Sequence, residues 1–308
     1  DDTAYANSQN VRVSPDGTQV YLSTRMANSE PGSLIVFDRD TITGLLTRTQ
    51  RFVDGQGGVS GLARTTSIAA VSNGTAVFLD DTPTSGGAIS RFSRDPSTGA
   101  LSFEGVTTNL QPDVSGLSGV TYVSASPDGA HLYAAGQFSG AITAFEIGAQ
   151  GDAAALEFVD SYESGPGRAG RFTEVVEVTS APDGSFVYGL TFAGTSPTAA
   201  PEDLARVVPL SRNATTGELT PGPAYAFPEL EDPRLVRASP TSPFVYLGGG
   251  ALLERQSNDV ISPAGTWRNP TDGLIQFDIS SDGTYLYATF GSFQITVYSL
   301  DVTTGEAT

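Results

Sequence analysis

A short pattern of residues recurs six times along the chain and constrains its fold more than any other feature. Each copy has an alternating β-rich run, a tight turn and a second run rich in Tyr or Phe. The turn glycines Gly17, Gly74, Gly129 and Gly184 lie 57, 55 and 55 residues apart. Asp, Asn and Gly adopt the positive φ angles that tight hairpins require. The pattern therefore predicts β-hairpins at a fixed period. The copies read VRVSPDGTQVYL, AAVSNGTAVFL, VSASPDGAHLYA, VTSAPDGSFVYG, VRASPTSPFVYL and FDISSDGTYLYA.

Two further β-rich runs complete most copies. A third run, such as SLIVFDRD at 33–40, leads into a Thr-Gly turn such as Thr43-Gly44, and a fourth run follows that turn. Four antiparallel strands in a repeat of this length form one blade of a β-propeller. No segment has a sustained period of 3.6 residues, so little helix is expected. We predict an all-β propeller in a single domain, 1–308, with six blades visible and a seventh left open.

The two ends of the sequence suggest how the last blade is completed. The sixth copy stops just after Thr304-Gly305, before a fourth run. Residues 2–6, DTAYA, resemble the PAYAF segment at 223–227 in the fourth copy. We predict that residues 2–6 supply the missing outer strand and so close the propeller. The alternative, that the chain is excised from a longer secreted or surface protein, stays open.

Composition excludes several classes of function. The chain has 34 acidic and 16 basic residues, a net charge of −18, which disfavours binding to nucleic acid. All the basic residues are Arg, and Cys is absent, so neither a disulfide framework nor a thiolate site is expected. No apolar run is long enough to insert into a membrane. The acidic charge, the use of Arg without Lys and the absence of Cys suit an extracellular or cell-surface protein. A high-GC genome would also replace Lys by Arg and explains that feature equally well.

The repeats resemble those of the lactonase-like, YVTN-type β-propeller family. The resemblance rests on the SPDG-x-x-L/V-Y hairpin and on the S-R-D-x-x-T-G-A-L turn, which occurs complete at Ser93–Leu101, and it covers nearly the whole chain. It implies a propeller, usually of seven blades. The family includes phosphogluconolactonase-like and muconate-cyclising enzymes as well as secreted or surface proteins, so the resemblance implies no single activity.

The first strand of each copy carries the candidate catalytic residues. Alternate residues of a strand share one face, and one such register contains charged residues from four copies. We expect them to converge on a central channel, with the arginines binding an oxyanion and the carboxylates acting as base or ion ligand. The alternative is that they form buried ion pairs that only specify packing. The four residues are Arg12, Glu177, Arg237 and Asp278.

Carboxylates in loops are candidate metal ligands. Asp54 and Asp113 lie in related glycine-rich loops, DGQGGVSGL and QPDVSGL, and Asp80 and Asp81 are adjacent. Carboxylate and carbonyl oxygens suit Ca²⁺, so we predict Ca²⁺ as the cofactor if there is one. Glycine-rich surface loops without metal are the alternative interpretation.

The fifth copy is the most irregular and supplies candidate binding residues. Residues 248–273 lack the usual third-run pattern and contain the single Trp. Irregular loops on a rigid scaffold often carry recognition, and a second insertion at 194–205 could cover one end of the channel. The candidate binding residues are Trp267, Glu254, Arg255, Asp259 and Arg268, with Tyr122 from the first strand of the third copy.

Three functional hypotheses follow from these features. The leading one is a non-enzymatic extracellular module, a monomer or a domain of a larger chain, that binds a protein or glycan partner through loops at one end. The second is a lactonase-type hydrolase or isomerase with its site at the channel mouth. The third is a structural spacer within a surface protein.

Overall fold

The structure is a computed structural model that describes residues 5, 7–27, 30–82, 86–148, 152–163, 174–191, 205–226, 235–256, 260–267, 274–290 and 295–308. These residues contain no α-helix, and they form six antiparallel sheets, the blades of a β-propeller. The predicted fold class is confirmed. Contacts divide the chain into two compact units, Asp1–Tyr162 and Glu163–Thr308, with three sheets assigned to each. The single domain expected for 1–308 stays a prediction.

The sheets of the first unit are four-stranded meanders in which each strand pairs with the next along the chain. The first sheet contains β1 Ser8–Val13, β2 Gln19–Thr24, β3 Ser33–Arg39 and β4 Leu46–Val53. The second contains β5 Ile68–Ala70, β6 Ala76–Asp81, β7 Ala88–Arg94 and β8 Leu101–Thr108. The third contains β9 Val120–Ala125, β10 His131–Gly136, β11 Ala141–Ile147 and β12 Leu156–Glu163.

The second unit continues the same connectivity with more irregular outer strands. The fourth sheet contains β13 Val175–Ser180, β14 Phe186–Thr191, β15 Arg206–Arg212, β16 Leu219–Pro221 and the short β17 Tyr225–Ala226, which also pairs with β15. The fifth contains β18 Val236–Ala238, β19 Phe244–Leu247, β20 Ala251–Arg255 and β21 Ile261–Thr266. The sixth contains β22 Leu274–Ile279, β23 Tyr285–Phe290 and β24 Ile295–Ser299.

The hairpin turns are stabilised by their own carboxylates. Asp16 accepts hydrogen bonds from the hydroxyls of Ser14 and Thr18 at 2.6 and 2.7 Å, and Gly17 has a φ of 71°. Asp128, Asp183 and Asp282 accept equivalent bonds in their own turns. These bonds confirm that the turn carboxylates belong to the scaffold.

Apolar side chains fill the space between neighbouring sheets within each unit. Leu34, Leu79 and Phe92 pack between the first two sheets, and Phe78 packs with Phe145 between the second and third. In the second unit, corresponding clusters separate the fourth sheet from the fifth and the fifth from the sixth. Because most sheets pack against a neighbour on each face, both faces of most second and third strands are apolar.

Two features of the later copies are not evident from their sequence patterns. The fifth copy lacks the usual third-run pattern, but its third and fourth strands, β20 and β21, are both formed, as a four-stranded blade requires. A bulge between Leu252 and Leu253 takes up one extra residue of β21, as equivalent bulges do between the third and fourth strands of the first two sheets. The sixth copy also begins a fourth strand, because Leu300 forms an antiparallel bridge with Ala307.

Two further details concern the first unit. An alignment of the first strands by sequence matches Val71 of the second copy with Val13 of the first. The structure shows that this alignment is wrong by one residue, because Ala69 pairs with Phe78 in the register that pairs Arg12 with Tyr21. The predicted closure by residues 2–6 lies outside the described residues except for Tyr5. The ring of Tyr5 lies 6.0 Å from that of Phe37 in the first sheet.

Candidate functional site

Three of the four candidate catalytic residues meet in the second unit. Glu177, Arg237 and Asp278 lie on β13, β18 and β22, the first strands of successive sheets. Arg237 Nη1 donates to Glu177 Oε1 and, at 2.8 Å, to the carbonyl of Val236. Arg237 Nε lies 3.6 Å from Asp278 Oδ1, on the other side of the guanidinium. One arginine therefore links two carboxylates from different sheets.

The two carboxylates have different environments. The side chain of Glu177 is 1% exposed, and its Oε2 accepts the backbone N–H of Val236 at 2.6 Å. The side chain of Arg237 is 12% exposed and lies over the ring of Phe277, 5.9 Å from the centroid. Asp278 is 63% exposed. Glu177 thus holds the guanidinium in place, while Asp278 remains accessible to water and ligand.

This arrangement can bind an anion or a developing oxyanion. A guanidinium fixed by a buried carboxylate presents its donors in a set direction, and charge interactions are stronger where water is excluded. The same geometry is also consistent with the alternative interpretation, in which the ion pairs only specify packing between sheets. Arg12 lies in the first unit, where its side chain is exposed between the exposed Val11 and Val13. It is not part of the three-residue cluster of the second unit.

Asp80 is buried and fully engaged by protein donors. Its Oδ1 accepts the N–H of Thr66 at 2.9 Å and the N–H and hydroxyl of Ser67 at 2.5 and 3.1 Å. Its Oδ2 lies 2.6 Å from Thr66 Oγ1. Burial raises the pKa of Asp80 to about 6, against the opposing effect of these hydrogen bonds. The carboxyl group therefore holds the segment before β5 rather than facing an open ion site.

The other candidate metal ligands also lie apart from any cluster. Burial raises the pKa of Asp81, which accepts the N–H of Arg64 at 2.7 Å, and Asp54 accepts that of Leu62 at 3.1 Å. Asp113 is exposed with a φ of 67°. Across the described part of the chain, no three His, Asp or Glu side chains group as metal ligands. Binding of Ca²⁺ stays a prediction.

Trp267 does not lie on an exposed loop, contrary to the sequence-based expectation. It is 3% exposed, its Nε1 donates to the carbonyl of Leu247 at 2.8 Å, and its ring packs against Phe277 and Tyr298. The indole fills the space between the fifth and sixth sheets. It is therefore a core residue and cannot contact a partner in the folded protein.

The remaining binding candidates are dispersed. Glu254 and Arg255 end β20, and Tyr122 is half-buried in β9 of the other unit. Asp259, Arg268 and residues 194–204 of the second insertion lie outside the described residues. Arg255 lines a cavity of about 330 Å³ between the fourth and fifth sheets, together with Asp183, Tyr188, Ser239 and Phe244.

Sequence reasoning missed the role of the arginines that end the third strands. Arg94 Nη2 donates to Asp16 of the preceding sheet at 2.7 Å, and Arg255 Nη2 donates to Asp183 of the preceding sheet at the same distance. Against the effect of burial, hydrogen bonds from Ser14 and Thr18, with a smaller contribution from Arg94, hold the pKa of Asp16 well below its ordinary value. The hydrogen bond from Arg255 is the main cause that lowers the pKa of Asp183 to about 2. The Ser-Arg-Asp motif marked Arg94 but not Arg255, which lies between Glu254 and Gln256, and it did not indicate the carboxylate that either arginine reaches.

Comparison with solved structures identifies proteins that share this β-propeller fold. A candidate 6-phosphogluconolactonase from Bacteroides uniformis is 19% identical with a TM-score of 0.71, and the match covers 97% of this chain and 82% of that chain. A periplasmic gluconolactonase from Pseudomonas aeruginosa is 16% identical with a TM-score of 0.70, covering 98% and 83%. The fold expected from the family resemblance is thereby confirmed.

The comparisons establish the fold and not an activity. Hydrazine synthase from Kuenenia stuttgartiensis also matches, with 15% identity, a TM-score of 0.66 and coverage of 95% of this chain and 76% of that chain. The sequence matches no protein-family model and no curated protein. Within the described residues, no helix has the length and apolar character needed to cross a membrane.

Proposed function

We propose that the protein is a lactone hydrolase whose site is formed by Arg237, Asp278 and Glu177. The single observation that carries this proposal is the buried Glu177–Arg237 pair with the exposed Asp278 carboxylate on the other side of the same guanidinium. The likeness to two structures named for lactonase activity supports the same choice. This likeness favours the hypothesis of an enzyme over that of a non-enzymatic binding module.

In this mechanism the lactone carbonyl oxygen faces Arg237. A water molecule attacks the carbonyl carbon as the Asp278 carboxylate accepts one of its protons. Arg237 stabilises the oxyanion of the tetrahedral intermediate. The ring C–O bond then breaks, and the leaving alkoxide takes the proton from Asp278 to give the hydroxy acid. Glu177 touches no reacting atom and acts as the positioning residue for Arg237.

Titration of acid release from δ- and γ-aldonolactones at constant pH tests the proposal. Arg237→Gln and Asp278→Asn should each lower kcat by about 10²- to 10⁴-fold, because each removes a group that acts in the transition state. Asp282→Asn is the matched control, since within the described residues that exposed carboxylate accepts hydrogen bonds from its own turn alone. Glu177→Gln should also lower kcat, because Arg237 loses its charged partner. The Gln carbonyl oxygen can still accept the backbone N–H of Val236.

The proposal fails if the folded protein hydrolyses no lactone faster than buffer does. It also fails if Asp278→Asn and Asp282→Asn have equal activity. Retention of the native circular dichroism spectrum by each variant separates loss of chemistry from loss of fold. Extracellular or cell-surface localisation, inferred from composition, is a separate part of the proposal and is checked by fractionation.

A second candidate function, binding of a small glycan, is favoured by the cavity beside Arg255. Hydroxyls of Ser239, Thr241 and Ser242 line it together with the Phe244 ring, and hydroxyls with an aromatic surface suit a sugar. Titration calorimetry with a panel of monosaccharides should detect binding that Arg255→Ala weakens. Absence of heat with every sugar, or equal affinity of the variant, would exclude this site.

A further inference from the structure

A groove of about 790 Å³ lies between the outer strands of the first and second sheets, β4 and β8. One aromatic residue from each strand lines it, Phe52 from β4 and Phe103 from β8, and both residues are half-buried. Each ring packs edge-on against the buried Phe92, at centroid distances of 5.0 and 5.3 Å. Within the described part of the chain, no ring contact joins Phe52 to Phe103. The groove therefore offers a ligand one aromatic surface from each sheet.

A side chain of the first sheet fixes the width of this groove. The amide group of Gln50 donates to the carbonyl of Leu101 at 3.0 Å and accepts the N–H of the same residue at 2.8 Å. This pair of hydrogen bonds joins β4 to the first residue of β8. The two aromatic walls are thus held in place before a ligand enters, which lowers the entropic cost of binding.

A glycine turn forms one end of the groove. Gly57 and Gly58 lie between Gln56 and Val59, and the N–H of Val59 donates to the carbonyl of Gln56 at 3.0 Å. The two glycines have φ angles of 59° and 85°, with open space where a side chain would lie. Among the described residues, no acceptor is found for either glycine N–H. Successive N–H groups of this kind can bind an anion.

The charge of the groove also favours an anion. Arg51 is the only charged residue among the described residues that line it. It is exposed, and no described carboxylate lies within ion-pair distance of it. Its side chain leaves the face of β4 opposite to that of Phe52, so it contributes charge at the rim rather than a fixed contact. In a protein with a net charge of −18, such a groove is the exception.

The next repeat shows that the scaffold does not require these features. The loop 109–117 repeats the loop 54–62 residue for residue, and an equivalent hydrogen bond from a leucine N–H to a side-chain oxygen closes each loop. The positions of Phe52, Gly57 and Gly58 are taken there by Thr107, Pro112 and Asp113. The second loop therefore lacks one aromatic ring and one N–H donor, and it adds a carboxylate.

We propose that the groove between the first and second sheets binds a planar aromatic carboxylate. The ring of the ligand lies against Phe52 and Phe103, and its carboxylate accepts the N–H groups of Gly57 and Gly58. The groove shares no residue with the Glu177, Arg237 and Asp278 cluster. The inference therefore goes beyond the proposed lactone hydrolysis and does not depend on it.

Titration calorimetry with sodium 2-naphthoate as the probe tests this site. The wild type should bind one molecule per chain. The double substitution Gly57→Pro with Gly58→Asp gives the turn the sequence that the chain itself uses at 112–113, where Asp113 has a φ of 67°. The fold should persist, while the affinity should fall by about tenfold or more, because an N–H donor is lost and a carboxylate faces the ligand.

The second loop supplies the matched control. Pro112→Gly with Asp113→Gly should leave the affinity and the stoichiometry unchanged, because Thr107 offers no aromatic wall. Adding Thr107→Phe to that pair should create a second site and raise the stoichiometry from one molecule to two. Melting temperatures within a few degrees of the wild type separate loss of binding from loss of fold.

Three results would overturn the proposal. The first is no heat of binding with 2-naphthoate at millimolar concentration, and the second is equal affinity of the wild type and the Gly57→Pro, Gly58→Asp variant. The third is equal affinity for the neutral 2-naphthol, which would assign the groove to aromatic rings without a carboxylate. Arg237→Gln should bind 2-naphthoate as the wild type does, so failure here is distinct from failure of the proposed lactone hydrolysis.

Discussion

The carboxyl group of Asp80 is surrounded by hydrogen-bonding groups whose protons can be counted. Thr66 Oγ1 lies 2.6 Å from Asp80 Oδ2 and 2.7 Å from the carbonyl oxygen of Thr121. A hydroxyl has one proton and cannot donate to both. If Asp80 is protonated, its O–H donates to Thr66, and Thr66 donates to Thr121. The neutral acid thus satisfies all three groups and links the second sheet to the third, in agreement with its raised pKa.

Folding stability should therefore depend on pH through Asp80. Its pKa is about 6 when folded and 3.8 ordinarily, so the unfolded chain loses this proton first as pH rises. The contribution of the neutral acid is complete below about pH 4 and is lost as pH rises through about 6, on the order of 3 kcal/mol in all. Urea unfolding at a series of pH values measures this loss.

Asp80→Asn isolates this effect from the other carboxylates. The amide N–H₂ of Asn can donate to Thr66 as the protonated acid does, so the variant should lack this part of the pH dependence and be more stable than the wild type at pH 8. Asp80→Ala should be destabilised at every pH, because buried donors lose their acceptor. If the free energy of unfolding changes with pH in the same way for the wild type and Asp80→Asn, the pKa of Asp80 does not differ between the folded and unfolded states.

At the scale of elements, arginines on third strands connect neighbouring sheets with different degrees of burial. Arg94 is 2% exposed and also donates to the Gln19 side chain at 3.0 Å and to the carbonyl of Gly74 at 3.1 Å. Arg255 makes the same link to Asp183 but is 25% exposed. Burial removes competing water, so the same contact matters more at Arg94.

Replacing the two arginines should therefore have unequal effects. Arg94→Ala should lower the free energy of unfolding by about 2 to 3 kcal/mol, because the buried acceptors on Gln19 and Gly74 lose their donor. Arg255→Ala should cost about 1 kcal/mol or less. Chemical denaturation of the two variants measures the difference. Equal losses would mean that burial does not set the strength of these links.

Glycines at the start of third strands allow close backbone approach. A Cβ added at Gly87 would lie 1.6 Å from the carbonyl oxygen of Leu117 in the loop before the third sheet. Gly32 is in the equivalent position and would meet the carbonyl oxygen of Leu62 at 1.8 Å. Only glycine lets this loop pass so near the strand.

Gly87→Ala should destabilise the protein by more than about 3 kcal/mol, since backbone must move to admit the methyl group. Gly44→Ala is the control, because Gly44 has a φ of 75° but open space around it, and only about 1 kcal/mol of conformational strain is expected. Thermal unfolding ranks the two variants. A milder effect at Gly87 than at Gly44 would contradict the close approach.

At the scale of the whole molecule, the net charge of −18 opposes folding. Compaction brings carboxylates together, and their repulsion is screened by salt over a Debye length that falls from about 30 Å at 0.01 M to about 10 Å at 0.1 M. The guanidinium of Arg94 is buried, so its pair with the more exposed Asp16 is screened less than a pair of two surface charges. Salt should thus relieve the repulsion more than it weakens the internal pairs.

The melting temperature should rise by several degrees when NaCl is increased from about 0.01 to 0.5 M. Differential scanning calorimetry at fixed pH measures the shift, and KCl at the same ionic strength should reproduce it because screening is not ion-specific. A fall in melting temperature would indicate that surface ion pairs contribute more to stability than the excess negative charge costs.

The repeat alone determined the class of fold and the number of visible sheets. Turn residues act locally, so Asp16, Asp183 and Asp282 could be assigned to their turns without knowledge of anything distant. Strand alternation also placed Glu177, Arg237 and Asp278 in one register. Periodicity was less reliable in the second copy, because Val71 occupies the turn position of Ser14 although it resembles the strand residue Val13.

Only the tertiary structure decided which residues are buried and which charges pair. Trp267 and Asp80 lie in irregular or polar segments, and their burial comes from packing against other sheets, which local sequence does not encode. The pairing of Arg94 with Asp16 likewise depends on which sheet lies alongside. Local patterns specify strands and turns because these depend on neighbouring residues, whereas a site depends on residues that lie far apart in the sequence.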